Sequence, residues 1–230
     1  MGQKGKLDKN IWKGVMDDLE LLIPYYELGN KLISFNFDKK IRENIARIIS
    51  KNDKVLEIGC GPGTFLMHVD AKEVHCIEPS EKMINYCTKR LYRMKKSVII
   101  KQGFAEKLPY PNNFFDKVFC IFAFRDFIDK RQSMTESFRV LRKNGLLVIV
   151  DLANTNHITN KIYLLYLKLI GPLISRLMGF NRNLYDDFIR TIVLMQKPQD
   201  YLKIALNIGF KKAWIEYKLF KNVFILFAKK

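Results

Sequence analysis

The chain has 230 residues, 48% of them hydrophobic, enough for one α/β domain with a substantial core. Lys and Arg number 40 against 23 Asp and Glu, and the net charge of +17 favours polyanions: nucleic acid, an anionic membrane face or acidic small molecules. Cys60, Cys76, Cys87 and Cys120 form no C-x-x-C pair and His68, His75 and His157 have no ligand spacing, which argues against a metal site and reads as reduced packing thiols of a cytosolic protein.

Residues 1–10 are polar and basic, a frayed start with no signal-peptide character. Ile11, Val15, Leu19, Leu22 and Ile23 then recur at helical spacing until Pro24 interrupts them. Ile41, Ile45, Ile48 and Ile49 mark a second amphipathic helix, so residues 1–50 make an N-terminal helical cap. Tyr25, Tyr26 and Phe35 lie between the two helices, as substrate cover or as plain packing.

Val55-Leu56-Glu57-Ile58 is a short apolar run that ends in Gly59-Cys60-Gly61-Pro62-Gly63-Thr64. The run reads as a buried parallel strand and the glycines as a turn whose bare backbone can approach a ligand. Thr64 is placed to cap the short helix that follows, to about His68. Glu78, nineteen positions after Gly59, closes a second strand at the end of Val74-His75-Cys76-Ile77. A carboxylate there suits ribose hydroxyls, so the pattern predicts a nucleoside-containing cofactor held across two strand ends.

Ser80 is a plausible cap for a helix over 82–93. A third strand spans 97–101 and a fourth 117–122, with Ala123-Phe124-Arg125-Asp126-Phe127 at its carboxyl end. A helix over 130–141, a turn at Lys143-Asn144-Gly145 and a fifth, most apolar and central strand over 146–150 follow. Alternating strands and helices with short links predict a Rossmann-like doubly wound α/β sheet, mostly parallel.

Residues 152–196 break this rhythm. Positions 162–180 are nearly continuous in apolar character, but Lys168, Arg176 and Gly171-Pro172 argue against a membrane span and for two short helices in a greasy lid. One more helix spans 183–195, another starts at Pro198, and 210–219 with 220–228 reads as a closing antiparallel hairpin.

The string Glu57 to Thr64 resembles the cofactor loop of class I S-adenosylmethionine-dependent methyltransferases. Phe122-Ala123-Phe124-Arg125-Asp126-Phe127-Ile128-Asp129 and Phe138-Arg139-Val140-Leu141-Arg142-Lys143-Asn144-Gly145 are similar to blocks of the menaquinone/ubiquinone-biosynthesis C-methyltransferase family. So are Tyr26-Glu27-Leu28-Gly29-Asn30 upstream and Ile208-Gly209-Phe210 downstream. The resemblance implies S-adenosylmethionine as cofactor, its demethylated form as product, and a small hydrophobic, isoprenoid-bearing substrate covered by the 152–196 segment. It implies cofactor contacts from Glu57, Gly59, Cys60, Gly61, Gly63 and Thr64, and from Glu78, Pro79 and Met83. Gly103, Phe104, Ala105, Glu106 and Cys120 complete that set. Phe104 stands where the family has Asp, so adenine is left to stacking, backbone groups or Glu106.

The reaction such a family runs needs a phenol deprotonated beside the reacting carbon. Arg125 is placed to stabilise the phenolate, Asp126 to act as base and Tyr26 to orient the ring; a salt bridge from Arg125 to Asp126 or Asp129 is the structural alternative. An N- or O-methyltransferase of another small molecule or lipid is the nearest rival. A nucleic-acid methyltransferase lacks support, because no proline-rich motif follows the fourth strand and Cys120 lies inside an apolar run. The apolar lid and positive surface together suit peripheral contact with an anionic membrane. Oligomeric state is left open, a dimer included.

Overall fold

The computed structural model describes residues 6–155, 157–180 and 184–230. Among them, seven strands form one sheet: β1 (Lys54–Ile58), β2 (Glu73–Glu78), β3 (Ile99–Gln102), β4 (Phe115–Ile121), β5 (Leu141–Leu152), β6 (Lys212–Lys218) and β7 (Val223–Lys229). The spatial order is β3-β2-β1-β4-β5-β7-β6. The first five run parallel; β7 lies antiparallel to both β5 and β6. The chain reverses its direction of travel across the sheet between β1 and β4, and a crevice opens at the carboxyl ends of strands at such a point.

Strand β5 is interior rather than central, with both edges paired and Val148, Val150 and Leu147 fully buried. It starts earlier than its apolar run implies. The turn expected at 143–145 is an irregularity inside the strand, where Phe115 pairs with Leu141 but Lys117 pairs with Leu146. Asn144 takes a left-handed conformation there, with φ 65°, which asparagine tolerates better than most residues.

Helices α1 (Lys9–Leu21), α2 (Tyr26–Ser34) and α3 (Phe37–Ala46) precede the sheet. Helices α4 (Glu81–Arg93), α5 (Lys130–Val140), α6 (Ile158–Leu177), α7 (Asp186–Leu194) and α8 (Pro198–Ile208) connect or cover it. Ser80 caps α4 by accepting from the Met83 N–H at 3.2 Å, as its sequence position predicts.

Several expectations are corrected. The start is not frayed from Lys6 onward: Leu7 is buried and donates its N–H to the Ile128 carbonyl at 2.8 Å, and Asp8 caps α1. Residues 1–5 lie outside the described residues. Thr64 caps nothing, and its buried hydroxyl has no partner; only a single 3-10 turn, Leu66–His68, follows the glycines, so no helical N–H is presented to it.

The segment expected to form a lid is not two helices split at Pro172. Helix α6 runs through that proline without a break, because its ring sits on the exposed side while Tyr163, Leu167 and Ile174 bury the opposite face. The helix expected over 183–195 begins at Asp186, and Asn183 lies outside the described residues. Cys60 and Cys76 are joined as a disulfide, against the reading of four reduced thiols. Neighbouring parallel strands bring together cysteines sixteen residues apart in sequence, to a Cα separation of 6.2 Å. Cys87 and Cys120 are free and buried. No helix among the described residues is long and apolar enough to cross a membrane.

Candidate active site

A cleft lies over the carboxyl ends of β1, β2 and β4. Its floor is the turn after β1, contributing Gly59 and Gly61, and the end of β2, contributing Glu78, Pro79 and Ser80. Met83 comes from the first turn of α4, and Gly103, Phe104, Ala105 and Glu106 from the segment after β3. Tyr26, Arg125 and Asp126 line it as well. The roof is α1, whose Trp12, Met16, Leu19 and Glu20 face the floor.

The glycines divide into two groups. Gly61, at φ 51°, would project a Cβ into open cleft with only the Tyr26 hydroxyl near, at 4.0 Å. A Cβ on Gly59 would meet the Ala123 Cβ at 2.6 Å, so that glycine lets the ends of β1 and β4 close on each other. Gly63 faces away from the cleft, and a Cβ there would strike the Cys87 Sγ at 2.7 Å.

Glu78 is the buried acid of the floor. Its Oε2 accepts from the Gly61 N–H at 2.9 Å and its Oε1 from the Ser80 N–H at 3.1 Å. Burial pushes its pKa up to about 6; the two N–H donors oppose the shift and the charges of Asp126 and Glu20 add to it. One carboxylate thus fixes the glycine turn and the entry to α4 together. Glu20 in the roof accepts from the Ser80 hydroxyl at 2.7 Å and pairs with Lys82 at 2.9 Å, which tie α1 down.

Phe104 packs its ring against Trp12, with centroids 5.6 Å apart. The pair gives the cleft an aromatic wall where the family's Asp is missing. Trp12 and Glu20 were not readable as site residues, since they lie far from every motif. Their signal was only the polar–aromatic content of an otherwise amphipathic helix.

Five residues expected at the cofactor do not line the cleft. Glu57 points beneath the floor and is completely buried, with its Oε2 unpartnered; burial raises its pKa to about 8. Cys60 is engaged by Cys76. Gly63 and Thr64 turn toward α4 and the interior. Cys120 is buried in β4, where desolvation holds its thiol well above the usual range.

Arg125 sits on a single 3-10 turn after β4 and is buried. Its main-chain N–H and its Nη1 donate to the two oxygens of Asp151, at 2.8 and 2.9 Å. Nη1 also donates to the Phe122 carbonyl at 2.7 Å, and Nη2 lies 3.3 Å from Asp126 Oδ2. The guanidinium packs over the Phe188 ring at 4.6 Å, leaving Nε without a partner. Burial works against its charge, but the two carboxylates outweigh it and its pKa is raised. Asp126 is pushed up, chiefly by burial. Asp129 is not a partner of Arg125; it caps α5 by accepting from the Gln132 N–H and pairs with Lys6. Asp151 escaped the sequence reading although an acid closing a wholly apolar strand was a usable signal.

A second cavity adjoins the first. Its walls are mostly apolar and come from α1, α2 and α7, including Val15, Leu22, Ile33, Leu184 and Phe188. Leu19, Tyr26 and Arg125 line both cavities. Asn30 lines the second, and its buried Nδ2 has no hydrogen-bond partner. The whole is a bipartite site: a cleft with a buried carboxylate in its floor, joined to a mostly apolar chamber at a buried cation.

Residues 56–149 match the Methyltransferase domain family. A demethylmenaquinone methyltransferase of Thermotoga maritima is 30% identical over 194 residues, covering 81% of this chain and 83% of that protein. A ubiquinone/menaquinone biosynthesis C-methyltransferase of Campylobacter jejuni is 23% identical over 222 residues, covering 90% and 92%. The crystal structure of an S-adenosylmethionine-dependent methyltransferase of Thermotoga maritima shares the fold with a TM-score of 0.67 at 17% identity, covering 93% of this chain and 99% of that one. The chain belongs to the class I S-adenosylmethionine-dependent methyltransferases, in the family that holds the demethylmenaquinone methyltransferases, and S-adenosylmethionine is its cofactor.

Proposed function

We propose that the protein methylates a ring carbon of a quinol-type aromatic with an apolar, isoprenoid-like tail. The observation that carries this reading is the meeting of the two cavities at Arg125, with an apolar chamber on the far side from the cofactor cleft. The names of the relatives point to the same acceptor class.

The cofactor fits the residues present: Gly61 leaves open the space a side chain would fill, and Glu78 lies beside it as a hydroxyl acceptor. Glu78 would hold the ribose, Met83 and Phe104 would flank adenine, and bare main chain at Gly59 and Gly61 would meet the amino-acid end. When bound, S-adenosylmethionine supplies an electrophilic methyl group on a sulfonium.

The chain's own residues do the rest. Arg125 is held charged and immobile by Asp151, so its free N–H stabilises a phenolate in the chamber without reorganising. Asp126, with its raised pKa, accepts the phenol proton. Electron density at the neighbouring ring carbon then makes it the nucleophile, and once methylated that carbon gives up its own hydrogen as a proton, restoring the aromatic ring. Tyr26 stands at the junction and orients the ring; Asn30 Nδ2 offers a donor to the second ring oxygen. Val15, Leu22 and Ile33, with Leu184, Tyr185 and Phe188, wall the chamber and exclude water from the tail.

The test is incubation with methyl-labelled cofactor and a demethylmenaquinol, followed by identification of the labelled atom. Label on the ring carbon is expected. Label on a nitrogen or oxygen of another acceptor, or none in the quinol while the cofactor binds, overturns the reading.

A further inference from the structure

Helix α6 has two unlike faces. Asn160, Tyr163, Leu167 and Ile174 are buried against the protein. On the other side Ile158, Ile162, Leu165, Leu169 and Leu173 follow at helical spacing, each more than half exposed, with Leu169 at 70%. Scattered apolar residues are normal on a surface, but an unbroken stripe along one long helix is not.

Helix α2 widens the stripe. Its Leu28, Leu32 and Phe35 are exposed too. The Phe35 ring lies 5.1 Å from that of Tyr166, and the Tyr166 hydroxyl donates to the Leu32 carbonyl at 2.8 Å, so the two helices present one face.

The charges around it are mostly positive. Helix α6 carries exposed Lys161, Lys168 and Arg176 and no acid. Beyond α2 a groove bordered by Leu28 is lined by Lys89, Arg90 and Arg93 of α4, with Arg90 already engaged by Glu27.

We propose that the α2–α6 face is a docking surface for an anionic phospholipid bilayer. The apolar stripe enters the boundary between headgroups and acyl chains, with the helix axis in the membrane plane. Lys161, Lys168 and the free cations of α4 meet the headgroups. A second copy of this chain is the poorer occupant, since it would bring like charges together in a molecule of net charge +17. The apolar chamber lies on the inner side of α2, at Gly29, Asn30 and Ile33, so docking sets it one helix thickness from the bilayer. The inference does not depend on which acceptor is methylated.

The experiment is co-sedimentation of the full chain with phosphatidylcholine vesicles, with and without phosphatidylglycerol, and with no methyl acceptor present. Binding is expected only with the anionic lipid and is expected to weaken as salt is raised. Lys161→Glu with Lys168→Glu should weaken it about twenty-fivefold or more, at about fivefold per charge. Leu165→Gln with Leu169→Gln should weaken it roughly tenfold, with melting temperature and cofactor affinity kept, since both leucines are exposed. No binding to anionic vesicles, unchanged binding by either double variant, or a dimer that the leucine variant converts to monomer would overturn the proposal.

Discussion

Asp151, closing β5, receives both the main-chain N–H and the guanidinium of Arg125, which follows β4. Two neighbouring strands are thus locked through one buried ion pair at the junction of the two cavities. Breaking a buried pair typically costs about 3–5 kcal/mol, lessened here because Asp126 stays 3.3 Å from Nη2 of Arg125 as a counter-charge. Asp151→Asn should therefore lower stability and, in the protein that remains folded, drop kcat by about a hundredfold or more. Cofactor affinity should change little. Unaltered kcat in folded Asp151→Asn, or in Arg125→Lys, would show the pair to be scaffolding alone.

Glu78 is expected to impose a pH dependence on cofactor binding. Its pKa is about 6, and ribose hydroxyls bond best to the ionised form. Affinity should be level above about pH 7 and fall about tenfold per pH unit well below pH 6. Calorimetric titration with S-adenosylhomocysteine measures this. Glu78→Gln should weaken binding about tenfold at neutral pH and flatten the profile; an identical pH profile in that variant would assign the titration elsewhere.

Glu57 should act on stability rather than on binding. Its pKa is raised from 4.5 to about 8, first by burial, then by the charge of Glu78, with Arg42 opposing. Across that window the folded chain holds the proton while the unfolded chain releases it, so stability falls as pH rises and stays low above it. Glu57→Gln is expected to raise stability above pH 8 by an amount on the order of 5 kcal/mol and to change little near pH 5. Thermal melts across pH test it; parallel curves for the two proteins would refute the assignment.

Gly61 and Gly63 are both at positive φ, 51° and 77°, and so either substitution carries about 1 kcal/mol of backbone strain. They should otherwise fail in different ways. Gly61→Ala puts a methyl into the cleft, and its cofactor affinity should drop tenfold or more, by steric exclusion. Gly63→Ala meets Cys87 instead, so it should lower the melting temperature while the folded fraction binds normally. Adding Cys87→Ala should recover part of that loss, an outcome that no cofactor role for Gly63 predicts.

Much of the floor of the site was legible because it is local. An apolar run broken by glycines fixes β1 and its turn, and an acid after the next apolar run fixes Glu78, whatever the rest of the chain does. The roof was not legible. Trp12 and Glu20 reach the cleft only because α1 docks across the sheet, held by Glu20 on Ser80 and Lys82. Spacing alone does not show that a side chain at Gly63 would meet Cys87 while one at Gly61 would enter the cleft. Pro172 was read as a helix end, a sound local expectation that tertiary burial on the opposite face overrides. The pairing of Cys60 with Cys76 depends on strand adjacency, which no spacing rule for cysteines encodes.

That sulfur bridge has a consequence for how ligands get in and out. It pins the turn after β1 to the adjoining strand by a covalent link, so the base of the crevice cannot gape. Any widening of the crevice is left to α1 overhead. The ties of α1 to Ser80 and Lys82 are then the latch, and the base is the fixed jamb against which that door swings.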